Sequence, residues 1–265
     1  MDDHRNLGSS RQLSAEAPQP SSVAQQSAAA IVQSITDSLD PAVLSKLHEA
    51  VLDADPEVAK QLIHKLLSEG VRAVDLADHY IPAVSHELGN QWCIDELSFA
   101  NVTIGASRLQ SMLRSLGPHW SGEGTGKKAV ASVLLVVPQE VYHTLGALVL
   151  GGQLRRKGLS VKLVLNGKPR DIAERVAHTI YDCVFISSSR GETLESLRRI
   201  VESVKTSAQT PLPVVIGGSI LEVETAETLT ALTGADFATR IPDEALCFCG
   251  LQVTSQDDAR TKNWT

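Results

Sequence analysis

Aromatic residues and cysteines are scarce in this sequence. Aromatic residues make up 4% of its 265 residues, although a hydrophobic content of 43% is enough for sizeable cores, and the length suits about two domains. The four cysteines contain no Cys-x-x-Cys pair, which argues against a disulfide framework and indicates reduced thiols. Two of them, Cys247 and Cys249 in "LCFCG", are interpreted as small buried residues.

Positive charge and long apolar runs are also lacking. The net charge of −7 argues against a protein that binds nucleic acid through a bare basic face. No apolar run has the length of a membrane span, and no signal-peptide pattern is visible. We therefore expect a soluble, cytoplasmic protein with no membrane partner and no strong direct binding to DNA.

The first part of the chain predicts a polar tail and a helical domain. Residues 1–28 are rich in Ser, Gln, Pro and Ala and predict a disordered tail. Residues 29–117 predict a four-helix cap domain. Two of its segments, "DPAVLSKLHEAVL" and "DPEVAKQLIHKLLSEG", begin with Asp-Pro, an N-cap followed by a first-turn proline. Two more, "VRAVDLADHYIPAVSHELGNQW" and "DELSFANVTIGASRLQSMLRSLG", have apolar residues at three- and four-residue spacing.

The second part predicts an α/β domain. Residues 118–128 are Gly-rich and predict a linker, residues 129–252 the α/β domain, and residues 253–265 a C-terminal tail. Five short β-rich runs alternate with helical stretches: "AVASVLLVV", "LSVKLVL", "DCVFISS", "LPVVIGG" and "ADFAT". The helices are expected to open near His143, Pro169, Glu192, Glu222 and Pro242. This alternation predicts a flavodoxin-like (Rossmann-like), doubly wound parallel sheet of five strands.

Three loops at the carboxyl ends of the predicted strands are candidates for a ligand site. His143 follows the first strand, and imidazole is an adaptable metal ligand. The third strand ends in "ISSSRGET", whose hydroxyls can bond a polar ligand, and the fourth ends in "VIGGS". Each feature also has a purely structural interpretation: an ordinary loop histidine, serines that cap a helix, and glycines that make a turn.

These residues resemble the cobalamin-binding module in which a four-helix cap precedes a flavodoxin-like domain. Its pattern is Asp-x-His-x-x-Gly after the first strand, Ser-x-Leu after the third and Gly-Gly after the fourth, and the resemblance spans roughly residues 40–250. It implies that His143 is the lower axial ligand of cobalt and that Gly146 supports the slot for the nucleotide tail. It also implies that Ser187 supplies the hydroxyl of that slot, and that Gly217 and Gly218 flank the tail.

The cap and the histidine loop add further candidates from the same resemblance. Trp92 in "GNQWCIDELSFANVTIG" matches a cap tryptophan that covers the upper face of the corrin, although an aromatic residue of the bundle core is an equal alternative. The string "VTIG", which includes Val102, stands where light-sensing repressors of this fold have a Glu-His pair. Tyr142 and Glu140, in the histidine loop, complete the candidate set together with Ser189, which replaces the leucine of Ser-x-Leu.

The sequence also departs from the pattern at the position two before His143, where Val141 replaces the acidic residue. A carboxylate there would hold the far imidazole nitrogen and raise the basicity of the ligand. Glu140 is a possible substitute from the adjacent position. The loss argues against a carrier that turns over and favours a protein that holds its cofactor.

A narrower resemblance, to the AerR/PpaA regulators of photosynthetic bacteria, rests on the long polar N-terminus, the cap string and the loop "EVYHTLG". It implies a light-responsive antirepressor and photoreceptor that binds adenosyl- or hydroxocobalamin and acts on a partner repressor of photosynthesis genes of the CrtJ/PpsR type, with DNA contact only alongside that partner. We therefore expect a transcriptional regulator and not an enzyme.

Three alternatives stay open. One is a corrinoid methyl carrier of a methyltransferase system. Another is a sensor of the same fold that binds haem, with His143 as the iron ligand. The last is a bundle-plus-sheet protein without a cofactor.

Overall fold

A computed structural model describes residues 39–121, 129–139 and 144–251, and its first part is helical. The helices of this part are α1 (Pro41–Leu52), α2 (Pro56–Ser68), α3 (Ala73–Asp75), α4 (Ile81–Cys93), α5 (Phe99–Ser115) and α6 (Pro118–Ser121). The short helix α6 occupies the start of the predicted linker. The predicted tails and residues 122–128 lie outside the described ranges.

Helices α1 and α2 begin as their Asp-Pro pairs predict. The Asp40 carboxylate accepts a hydrogen bond from the backbone N–H of Ala42 at 2.8 Å, and Asp55 accepts one from Glu57 at 2.9 Å. In each case the proline occupies the first turn, where its missing N–H costs no hydrogen bond. Ser98 caps α5 in the same way, through the N–H of Asn101.

The third predicted helix differs in detail from the expectation. It is divided into α3, a π-helical turn at Leu76–Tyr80, and α4. The N–H of Ile81 bonds to the carbonyl of Leu76, five residues back, and Pro82 follows directly. Because proline has no N–H and its ring crowds the preceding turn, a wider turn at this point keeps the helix continuous.

The core of the bundle is aliphatic, as the low aromatic content requires. Helices α1, α2, α4 and α5 contribute fully buried side chains, among them Leu47, Ile63, Leu88 and Leu109. Gly105 on α5 permits close helix packing, because a Cβ there would lie 2.8 Å from a methyl group of Leu88.

The second part is a parallel sheet of five strands in the order β2-β1-β3-β4-β5. The strands are β1 (Ser132–Pro138), β2 (Ser160–Gly167), β3 (Cys183–Ser188), β4 (Val214–Gly218) and β5 (Phe237–Ala238). The helices are α7 (Leu145–Arg156), α8 (Pro169–His178), α9 (Leu194–Ser207), α10 (Ala226–Thr233) and α11 (Pro242–Phe248). A short 3-10 turn, Ser219–Glu222, delays the fourth helix beyond its predicted opening near Glu222. The predicted fold class is confirmed.

Helices cover both faces of the sheet. Val184 and Ile186 of β3 pack in one core with α8, α9 and α10. Cys183 and Phe185, on the opposite face, pack with α7 and α11. Because side chains alternate along a strand, Ser188 continues the first face and Ser187 the second.

Helix α7 joins the sheet to the bundle. Leu145 and Val149 of α7 belong to the bundle core. At the other end of α7, the guanidinium of Arg156 donates to the backbone carbonyl of Trp120 and to the carboxylate of Asp78 in the π-helical turn. Arg156 and Asp78 are both largely buried, with 21% and 12% of their side chains exposed. The cap is therefore fixed to the sheet along one side.

In the part of the chain that the structure describes, no helix combines the length and the apolar character that a membrane crossing needs.

Candidate functional site

A large cleft lies between helix α4 of the cap and the carboxyl ends of the strands, with a volume of about 1110 Å³. Pockets for drug-sized ligands typically measure about 300–1,000 Å³, so this cleft suits a bulkier ligand. The position agrees with the rule that parallel sheets bind ligands at the carboxyl edge, near the reversal of strand order between β1 and β3.

The cap wall of the cleft consists of Val102 and Ala106 of α5 and, for the most part, of one stripe of helix α4. Pro82, His86, Gly89 and Cys93 lie on it at helical spacing, and Trp92 lies beside Cys93. A Cβ at Gly89 would meet no atom within 4 Å, so the middle of the stripe is open. His86 and Cys93 are exposed. The wall is flat in the middle and has potential ligand atoms toward each end.

Trp92 is 44% exposed, and its ring lies 6.1 Å from that of Phe99, tilted by 57°. It lines the cleft, so the alternative interpretation of Trp92 as an aromatic residue of the bundle core is wrong. An indole with this much exposed apolar surface is a good candidate to contact a ligand.

The sheet side of the cleft is formed where β3 and β4 end. Ser187 pairs with Gly217 and Ser188 with Gly218. Ser188 is 2% exposed, and its hydroxyl has no hydrogen-bond partner among the described residues. A buried hydroxyl without a partner is destabilising, and a polar ligand in the cleft would satisfy it.

The two glycines have a structural reason of their own. Gly218 has φ 102°, a conformation that disfavours other residues, and a Cβ there would lie 2.2 Å from the carbonyl oxygen of Ser188. At Gly217 a Cβ would lie 2.9 Å from the carbonyl oxygen of Thr239. Close approach between backbones therefore requires both glycines, whether or not a ligand is present.

An ion-pair cluster lies at the rim of the cleft. Glu222 accepts a hydrogen bond from Nε of Arg190 at 2.5 Å and forms an ion pair with Arg240, with 2.9 Å between the charged atoms. Arg190 and Glu222 both line the cleft. The cluster connects the loop after β3 with the loops after β4 and β5.

The structure brings most of the described candidates together. The cleft is lined by six of them: Trp92, Val102, Gly146, Ser187, Ser189 and Gly218. Gly217 lies one residue behind this lining, at the end of β4. A Cβ at Gly146 would meet no atom within 4 Å, so this glycine borders open space. The remaining candidates, His143, Glu140 and Tyr142, lie outside the described residues, as does Val141.

Sequence reasoning missed several side chains of the cleft, among them Ser188 and His86. Ser188 was passed over between Ser187 and Ser189, although the alternation of a buried strand indicates that consecutive serines face opposite sides of the sheet. His86 was also missed, because an exposed histidine on an amphipathic helix carries no sequence signal for a ligand site.

The interpretation of the C-terminal cysteines needs a correction. Cys247 is exposed because it faces outward from the short helix α11, and Cys249 is half-buried. A hydrogen bond to Cys249, followed by burial, raises the pKa of Cys183, and the same bond lowers the pKa of Cys249. This pair lies in the core between the sheet and helices α7 and α11.

Sequence comparison identifies a relative that matches more than half of this chain. It is an uncharacterized 20.5 kDa protein in the bchF-crtJ intergenic region of Rhodobacter capsulatus, 36% identical over 165 residues, or 62% of this chain and 85% of that protein. The chain belongs to the family of that protein. Residues 131–247 of this chain, which include the five strands, match the B12 binding domain family.

Two proteins that are similar over most of the chain extend this result. The trimethylamine corrinoid protein of Methanosarcina barkeri is 21% identical over 191 residues, 71% of this chain and 88% of that protein. The solved structure of the M. barkeri monomethylamine corrinoid protein has a TM-score of 0.60 at 14% identity, and the match covers 83% of this chain and 98% of that chain. At 14% identity, the structural match shows that the two proteins share a fold.

The cleft beside the B12-binding domain fits a large, flat ligand with polar edges. Gly89 on the cap side and Gly146 on the sheet side both border open space. The orphaned hydroxyl of Ser188 and the ion pairs of Arg190 offer hydrogen bonds to amide groups at the edge of such a ligand. These features are compatible with the size and chemistry of a corrinoid.

Proposed function

We propose that this protein binds cobalamin between its helical cap and its B12-binding domain and acts as a light-responsive transcriptional regulator, not as an enzyme. The observation that supports the proposal most directly is the cleft of about 1110 Å³, with open glycine positions on both walls and an exposed tryptophan on one. The family match over residues 131–247 supports the same cofactor. None of the relatives described above points to haem.

In this proposal each wall of the cleft has a separate task. His143 binds the lower side of the cobalt, in accordance with its place in the family pattern. Ser187, Ser188 and Gly146 hold the polar periphery and the tail, while Trp92 covers the upper face. Adenosyl- or hydroxocobalamin supplies a cobalt ion whose upper ligand can be exchanged, for example on illumination.

The regulatory part of the proposal rests on the cap. A ligand shifts an equilibrium only if it binds the two states differently, so the upper ligand must favour one cap position over another. The cap then presents or hides a surface for a repressor of the CrtJ/PpsR type. The location of the Rhodobacter capsulatus relative beside crtJ supports this choice of partner.

The test is an absorption spectrum of the purified chain after gel filtration with hydroxocobalamin, adenosylcobalamin or haem, in darkness and after illumination. We expect a co-eluting corrinoid whose spectrum changes with light, and an altered spectrum in His143→Ala. His64→Ala, a substitution at an exposed position of α2 outside the lining of the cleft, is the matched control. A Soret band without corrinoid uptake would change the cofactor to haem, and no uptake at all would reduce the resemblance to a shared fold.

A corrinoid methyl carrier is the second candidate. The trimethylamine corrinoid protein, which matches over 88% of its length, favours it. The valine at position 141 argues against it, because cobalt that cycles through methylation benefits from a carboxylate behind the histidine. Transfer of a methyl group from the methylated chain to a thiol acceptor, catalysed by a methyltransferase, would support the function of a methyl carrier.

A further inference from the structure

We propose that the side of helix α4 that faces away from the cleft, together with the turn that follows it, docks a partner protein through a basic face of that partner. The proposal rests on the proposed function and deepens it, since it assigns the surface at which the cap meets its partner. This outer cap surface consists of the groove between α1 and α4 and of residues 94–99.

The groove between α1 and α4 is the first observation. It has a volume of about 330 Å³, and its lining includes Leu44, His48, Ala83, Val84, Glu87 and Gln91. Nε2 of His48 lies 2.8 Å from the amide oxygen of Gln91, so these two side chains connect the helices. Glu87 provides a carboxylate in a lining that is otherwise largely apolar. Such a groove fits a Lys or Arg side chain of a partner, which has an apolar stem and a cationic head.

The turn between α4 and α5 presents two large apolar side chains. Ile94 is 64% exposed and Phe99 is 70% exposed, and neither lines the cleft. Backbone hydrogen bonds fix the turn, because the N–H groups of Glu96 and Leu97 donate to the carbonyl of Gln91 at 2.8 and 3.2 Å. Gln91 also lines the groove, so the groove and the turn form one surface. Exposed apolar side chains on a fixed turn are typical of contacts between proteins.

The charge of the outer cap surface is negative. Residues 73–107 contain five carboxylates and neither Lys nor Arg. Glu87 of the groove and Asp95 and Glu96 of the turn are exposed, and none of the three forms an ion pair with another described residue. Lys46 of α1 does not line the groove. The carboxylates are therefore available to cations of a partner.

This charge selects the occupant of the surface. Carboxylates repel nucleic acid and an anionic membrane surface. A second copy of the chain is disfavoured, because a two-fold axis would bring the same carboxylates close to their own copies. A protein with a basic face complements the surface in both charge and apolar character. In the proposed function this protein is a repressor, and DNA-binding proteins carry such faces.

Helix α4 connects the outer cap surface to the cofactor. Pro82, His86 and Gly89 line the cleft, whereas Ala83 and Glu87 line the groove. At 3.6 residues per turn, the two linings lie on roughly opposite sides of the helix. A shift of α4 on exchange of the upper ligand therefore moves both surfaces at once. Because linkage is reciprocal, the partner must change the affinity for the cofactor by the same factor as the cofactor changes the affinity for the partner.

Isothermal titration of the full chain, loaded with hydroxocobalamin, against a purified repressor of the CrtJ/PpsR type tests the proposal. Glu87→Lys should weaken binding by about tenfold or more and Ile94→Ala by about fivefold, while both variants keep the corrinoid spectrum of the unmodified chain. Added salt should weaken binding, and less steeply in Glu87→Lys. The matched controls Glu174→Lys and Ile180→Ala, at exposed positions of the sheet domain, should bind the repressor as tightly as the unmodified chain.

Unchanged affinity in both Glu87→Lys and Ile94→Ala would overturn the proposal, while corrinoid uptake and repressor binding would leave the proposed function intact. An equal loss of affinity in Glu174→Lys would also overturn it, because the loss would then follow net charge and not this surface. Self-association of the chain that Ile94→Ala abolishes, measured by sedimentation, would assign the surface to a second copy and so contradict the proposal. Failure of the unmodified chain to take up corrinoid or to bind the repressor would instead refute the proposed function, and the docking surface with it.

Discussion

Replacing Arg156 by methionine is expected to destabilise the contact between cap and sheet. Asp78, with 12% of its side chain exposed, would lose its cationic partner, and the backbone carbonyl of Trp120 would lose a donor. Removal of one partner of a buried ion pair typically costs about 3–5 kcal/mol, because the remaining charge is left uncompensated. We therefore expect the free energy of unfolding at pH 7 to fall by about that amount.

The same variant should show a pH dependence of defined sign. Burial raises the pKa of Asp78, and Arg156 opposes this effect. Without Arg156 the pKa of the folded state rises further above its unfolded value, so the folded state holds its proton to higher pH. The deficit relative to the unmodified chain is then small at acid pH and grows as the pH rises through the raised pKa.

Urea unfolding followed by circular dichroism, at several pH values between 5 and 8, measures both effects. Arg156→Met combined with Asp78→Asn is the control, since a neutral amide at position 78 relieves the uncompensated charge. The double variant should recover most of the loss and should lose the pH dependence. If it were as unstable as the single variant at every pH, the reasoning from buried charge would be refuted.

Three further predictions concern the cleft and the thiols. Gly218→Ala should lower the free energy of unfolding by about 2 kcal/mol or more, because of its backbone conformation and the 2.2 Å between the new Cβ and the carbonyl oxygen of Ser188. Gly89→Ala should leave the free energy of unfolding equal or higher, since its Cβ meets open space in a helix. Equal urea midpoints for the two variants would contradict this. Ser188→Ala should change the stability of the cofactor-free chain by less than about 0.5 kcal/mol, since the hydroxyl of Ser188 has no hydrogen-bond partner among the described residues. The same variant should weaken corrinoid binding by about two- to tenfold in equilibrium dialysis. A large loss of stability would show that the hydroxyl has a partner in the cofactor-free chain. Iodoacetamide at neutral pH should modify the exposed thiol of Cys247 well before the buried thiol of Cys183. Mass spectrometry of proteolytic digests measures the order of modification. Simultaneous modification would mean that β3 opens readily.

The sequence was sufficient for the architecture because its signals there are local. The Asp-Pro pairs at Asp40 and Asp55 specify helix starts through hydrogen bonds within three residues. Strand runs and helix periodicity specify the layers in the same way. The departures are short turns: the π-helical turn before Pro82, helix α6 and the 3-10 turn Ser219–Glu222 were missed. Such turns depend on which residues can still find hydrogen-bond partners, and not on periodicity.

The site was less predictable because it is assembled from distant segments. The family pattern located the loops that line the cleft, but it did not distinguish Ser187 from Ser188. These two serines are neighbours on β3, so their side chains lie on opposite faces of the sheet. His86 has no sequence signal that separates it from a solvent-exposed helix residue. Its place in the wall of the cleft becomes visible only when α4 lies over the carboxyl edge of the sheet.

The contact between Asp78 and Arg156 gives the cap a pivot point. An opening that leaves the Asp78–Arg156 contact intact must pivot near that contact, in the middle of the π-helical turn that leads into α4. Trp92 lies fourteen residues further along, about 21 Å away at 1.5 Å per residue. A rotation of about 10° at the pivot then displaces the indole by about 4 Å, roughly the thickness of one aromatic ring, while the buried ion pair hardly moves. In the proposed function, a change in a single bond at the cofactor would thus become a displacement large enough for another protein to detect.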